Sequence, residues 1–144
     1  MTTMQVDIVS SEELIFSGVA EYVVAPGSEG ELGIYPNHIS LINKLIPGVF
    51  RVKIPQKEEH LIYAISGGFM EVQSNKVTVL ADVVERSEDL DEAKLLEEKT
   101  KAEARVKHSN STLDGDTAKA YASLEIVLAQ LKTLEFVRKH SKRG

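Results

Sequence analysis

The stretch "VTVLADVVERSEDLDEAKLLEEKT", Val77 to Thr100, begins as one kind of chain and ends as another. Its opening third is rich in valine, the composition of a strand packed on a pleated surface. After Ser87, alanine, leucine, glutamate and lysine dominate, all good helix formers. Leu90, Ala93, Leu96, Thr100 and Ala104 then recur at three- and four-residue spacing, which predicts a helix with one apolar stripe. Asp89 followed by Glu92 has the spacing of a capping box. Two architectures therefore meet near Glu85 to Glu88.

Upstream of that junction the chain reads as all-β. "VDIV", "LIFSG", "AEYVVA", "GVFRVKI", "LIYAIS" and "FMEVQ" are further candidate strands, separated by Gly, Pro, Asn and Ser. "IPQKEEH" and "QSNK" are the expected hairpin turns. So many short strands imply a sandwich or flattened barrel. Downstream, Tyr121, Leu124, Leu128, Leu131 and Leu134 form a second helical stripe. "HSNSTLDGD" supplies turn formers between the helices, with Asp116 as a candidate cap, so an antiparallel helical hairpin is expected. The division is residues 1–86 as a β unit and 87–144 as a hairpin.

The charges favour closure of that hairpin. Glu85, Glu88, Asp89, Asp91, Glu92, Glu97 and Glu98 crowd its first end, whereas Lys132, Arg138, Lys139, Lys142 and Arg143 crowd its last. An antiparallel pair brings these blocks together, and each also suits its own helix dipole. Exposed ion pairs contribute about 0.2–1 kcal/mol each, so the latch is weak.

Composition excludes several classes. With no cysteine there is no disulfide, thiolate metal site or cysteine nucleophile. A net charge of −5 argues against nucleic acid as the main partner. No apolar run reaches the roughly 18 residues of a spanning helix, and "MTTMQVDIVSSEE" lacks the pattern of a secretion signal, so a cytoplasmic address is expected. Gly27, Gly30 and Gly33 precede "IYPNH", whose proline opposes the helix start that a phosphate-binding loop needs. The four histidines, His38, His60, His108 and His140, are isolated from one another. No metal site is expected from them. Ser66 lacks the glycine two positions earlier that a nucleophile elbow requires. The residues alone thus reach a binding or regulatory module and do not name its partner.

"GSEGELGIYPNH", Gly27 to His38, resembles the signature of the epsilon subunit of F-type ATP synthases. "ISGGFMEV", "VTVLADVVER" and "EDLDEAKLLEEKTKAEA" resemble the same family in the same order, and the resemblance covers essentially the whole chain. It implies a β-sandwich of about ten strands followed by an antiparallel two-helix hairpin, in a non-catalytic subunit. It also implies partners: the gamma subunit, the ring of c subunits, and the alpha and beta subunits of the synthase. The subunit would be a peripheral component at the cytoplasmic face of the bacterial inner membrane, associated with the membrane only through the complex. It would couple proton translocation to ATP synthesis, while its helices inhibit ATP hydrolysis.

The resemblance assigns Glu29, Glu31 and His38 to the c-ring contact. Arg138, Lys139, Lys142 and Arg143 would reach an acidic segment of the beta subunit. No cofactor is required, but some family members bind ATP through a motif matched here by "LDEAKL", Leu90 to Leu95. Glu85, Asp91 and Lys94 are its candidate contacts. Lys94 stands where the motif has arginine, and loses the bidentate fork suited to phosphate; Leu95 replaces alanine. A weak regulatory ATP site follows. The competing readings are a stand-alone ATP-sensing protein and a hydrolase using Ser66 or His38.

Overall fold

The computed structural model describes residues 2–109 and 116–141. Eight strands precede two helices: β1 (Met4–Val9), β2 (Leu14–Ala20), β3 (Tyr22–Gly27), β4 (Gly30–Ile34), β5 (Leu41–Lys53), β6 (His60–Gln73), β7 (Lys76–Ala81), β8 (Val84–Arg86), then α1 (Glu92–Ser109) and α2 (Asp116–Ser141). A 3-10 turn at Ser87–Asp89 separates β8 from α1.

The strands run in the order β2-β1-β7-β6-β5-β3-β4, with β8 beside β6. β5 and β6 are long because each serves two layers. The first half of β5 pairs with the second half of β6, from Leu41↔Val72 to Leu45↔Gly68, and the pairing resumes at Pro47↔Ser66 after a break. At that break Gly67 and Gly68 have φ of 102° and 149°, a backbone that side chains rarely allow. The ribbon folds over there. One layer is β2-β1-β7 with the first half of β5 and the last half of β6; the other is β8, the opposite halves, β3 and β4. Each layer therefore has five strand segments, which reconciles eight continuous strands with the expected ten.

Alternation fills the space between the layers. Val6, Ile8, Met70, Val77 and Val79 from one layer join Val23, Ile34, Phe50, Val52 and Ile65 from the other in one core cluster. The two-residue turn Ser74–Asn75, both at positive φ, closes β6 onto β7 where "QSNK" was read. One strand departs from the sequence reading: β4 lies inside "GSEGELGIYPNH", hidden there by its glycines and proline.

The helices correct two further expectations. Asp91, not Asp89, caps α1, its Oδ1 accepting the Lys94 N–H at 3.3 Å. The buried stripe of α1 is Leu95, Ala102, Val106 and Ser109, whereas Leu96 is exposed. In α2 the buried positions Ala120, Val127, Ala129 and Thr133 do not fall on one stripe, because α1 covers one side and β5 with β6 the other. Asp114, Gly115, the Asp116 side chain, Lys142 and Arg143 lie outside the described residues.

Candidate functional site

Three surfaces converge on the sandwich. The first is the tip of the β3–β4 hairpin, where Gly27 pairs with Gly30 and Pro26 with Glu31. Glu29 is in the turn and exposed; Glu31 follows on the edge strand, where its carboxylate takes a hydrogen bond from Arg51 Nη2 at 3.3 Å. His38 is not beside them. It lies in the loop past the other end of β4, its Nδ1 2.7 Å from the carbonyl oxygen of Ile39, in a segment anchored by Asn37 N–H donating to Asn75 Oδ1 at 2.6 Å. The structure thus groups Glu29 with Glu31 and sets His38 at the opposite end of the strand.

The second surface was not read from the sequence. Across the outer face of the first layer, Leu14 stands opposite Val9, Val9 beside Leu80, and Leu80 opposite Phe69. Three of the four are more than half exposed, at 58%, 53% and 54% for Leu14, Leu80 and Phe69. Next to this apolar row, Asp7 accepts from Gln5 Nε2 at 2.9 Å and Ser17 Oγ at 2.8 Å, with Lys76 Nζ at 3.3 Å. Those hydrogen bonds first, and Lys76 after them, hold its carboxyl below the usual range. The row continues as a groove past Ile46 and Pro47 to Ala122 and Ile126 of α2. A contiguous exposed apolar band with a fixed polar flank is the anatomy of a protein contact. Its four residues come from two strand pairs that lie far apart in sequence, Val9 with Leu14 and Phe69 with Leu80, so no local window contains it.

The third surface is the seat of α2. Val49, Arg51, Ile62 and Ala64 point outward from β5 and β6, away from the core, and are covered by the helix. Arg51 sits with Cζ 4.7 Å above the Phe136 ring, whose stacking partner is His140 at 3.9 Å. His60, half-buried nearby, shares a 2.7 Å hydrogen bond with Tyr22. Burial first, then Arg51, Lys53 and His140, push the His60 pKa down. Gln130 donates to Glu85 on β8, fastening the helix to the last strand.

The remaining candidates divide. Arg138 pairs with Glu92 across the two helices, whereas Lys139 turns to Glu135 on its own helix at 3.1 Å. Asp91 and Lys94 meet through the α1 cap, but Glu85 is directed to α2. The Ser66 hydroxyl accepts the Val83 N–H at 3.0 Å. Among the described residues no group of three or more His, Asp or Glu could hold a metal, and no helix is long and apolar enough to cross a membrane.

A family model described as the ATP synthase delta/epsilon chain beta-sandwich domain matches residues 3–87. Relatives named ATP synthase epsilon chain match nearly end to end. That of Chromobacterium violaceum is 51% identical over 98% of this chain and 99% of its own. That of Nitrosospira multiformis is 49% identical over 96% and 98%. In fold, the chain resembles one in the mitochondrial ATP synthase OSCP/F1/c-ring structure of Euglena gracilis, with a TM-score of 0.81 and 23% identity over 93% of this chain and 82% of that one. A chain of the Tetrahymena thermophila mitochondrial central stalk and c-ring gives 0.61 at 14% identity, over 92% and 97%. With the sandwich model and the near-complete relatives in agreement, the chain belongs to the ATP synthase epsilon-chain family, a non-catalytic subunit of that synthase.

Proposed function

We propose that this chain is a rotor subunit of the central stalk, coupling proton translocation to ATP synthesis and restraining ATP hydrolysis through its helices. Residues 1–86 are the part that joins the rotor, and 87–144 the regulatory arm. The observation that carries this reading is the way α2 is seated: outside the core, on a face that includes Val49, Ile62 and Ala64, with a cation stack at its far end. An element held this way can leave without unfolding what it leaves.

The apolar row Leu14–Val9–Leu80–Phe69 is offered to the gamma subunit, since it needs a complementary apolar face. Glu29 and Glu31 at the hairpin tip are offered to polar loops of the c ring, with His38 contributing separately from the loop at the other end of β4. Arg138 and Lys139, with Lys142 and Arg143 beyond them, would trade their intrachain acids for acidic groups of the beta subunit, the tip of the arm then lying among the alpha and beta subunits. The subunit is peripheral, reaching the inner face of the bacterial membrane through the complex alone.

Deleting residues 87–144 is the test. The truncated chain should assemble with the synthase and leave ATP hydrolysis less inhibited; unchanged inhibition refutes the regulatory arm. Regulatory ATP, if bound through Glu85, Asp91 and Lys94, binds weakly, because Asp91 is committed to the α1 cap and Glu85 to Gln130. Calorimetric titration of the full chain with ATP distinguishes a rotor subunit from a stand-alone sensor, which would bind tightly.

A further inference from the structure

Arg51 occupies a position that suits an uncharged residue better. It projects from β5 beneath α2, on a face otherwise made by Gly48, Val49, Ile62 and Ala64. Its side chain is only 20% exposed, against 63% for its partner Glu31. One nitrogen, Nη2, reaches that carboxylate at 3.3 Å. The guanidinium lies over Phe136, and its Nε is buried with no acceptor among the described residues.

These contacts pull in opposite directions. A cation over an aromatic ring is attracted to it. A guanidinium taken from water with one longish carboxylate contact and one orphaned N–H loses more solvation than such contacts restore. The balance depends on Glu31, the one carboxylate bonded to Arg51 among the described residues. If that carboxylate is drawn away, a charge remains under the helix with the Phe136 ring but no bonded carboxylate among the described residues to offset it. Lifting α2 returns the charge to water.

We propose that Arg51 is a release device, coupling capture of Glu31 by a cationic or hydrogen-bond-donating group of another subunit to the undocking of α2. Docking in turn holds Glu31 to Arg51 and makes it less available, since coupling between two events is reciprocal. This rests on the reading of Glu31 as a rotor contact and of α2 as a movable arm.

The test uses the full chain. It contains no cysteine, so Lys57→Cys and Lys139→Cys, both exposed, carry a donor and acceptor dye that report docking by energy transfer along a urea titration. Glu31→Gln should lower the docked-to-released ratio about fivefold, and Arg51→Met should raise it by a similar factor. In the Arg51→Met background, Glu31→Gln should change nothing. A lower ratio with Arg51→Met would overturn the proposal, as would no response to Glu31→Gln, or a response that persists without Arg51. Because docking is read in the isolated chain, this pattern stands or falls separately from hydrolysis in the truncated complex.

Discussion

Arg138 in the last turn of α2 meets Glu92 in the first turn of α1, joining the basic end of the hairpin to its acidic beginning. Both side chains are about half exposed, at 58% and 45%, so solvent screens the pair. Its role is orientation more than stability.

Arg138→Ala should therefore lower the stability of the full chain by no more than about 1 kcal/mol. Salt of about 0.5 M should erase the difference, as read from urea midpoints of mutant and parent. In the assembled synthase, reversing Arg138 and Lys139 to glutamate should weaken inhibition at low salt; equal inhibition would count against the beta-subunit contact.

Phe69→Glu places a charge in the middle of the exposed apolar row. The isolated chain should keep its fold, with a change within about 0.5 kcal/mol, because the side chain is exposed. Co-purification with the gamma subunit should be lost. Retention of the complex would remove the row as the contact.

Acid should loosen the fold through His60. Its folded pKa lies below the ordinary 6.5, so the unfolded imidazole takes a proton first as pH falls. The contribution of neutral His60 is intact above 6.5 and is lost progressively below it. His60→Gln, which keeps an acceptor for Tyr22, should flatten the stability profile between about pH 5 and 7. An unchanged slope would show that His60 does not contribute to it.

Gly68→Ala should destabilise by about 3 kcal/mol or more, from strain at positive φ and from crowding. A Cβ there would stand 2.0 Å from the Leu80 carbonyl oxygen, which is backbone and cannot step aside. Urea unfolding measures the loss, and a near-wild-type midpoint would mean that the fold-over tolerates side chains.

Much of this architecture was legible in the chain itself. Val77 and Val79, like Met70 and Val72, stand two residues apart along their strands, and the core uses that alternation directly. The change of period after Ser87 marks the helices for the same reason. Local pattern failed where a second element decides the outcome. Leu95 and Leu96 both fit a helical stripe, and only the position of α2 makes Leu95 the buried one. Arg51 inside "GVFRVKI" gives no sign that a helix covers it. The acidic tip and His38 are close in sequence, but the intervening strand β4 carries them to opposite ends.

The folding-over of β5 and β6 has a mechanical consequence. Two sheets joined only by side-chain packing can slide past each other under load, but here twin covalent spans bridge them at Leu45–Pro47 and Ser66–Gly68. A twist applied at one broad side of the head is carried to the other along peptide bonds, so the two layers respond as one stiff body.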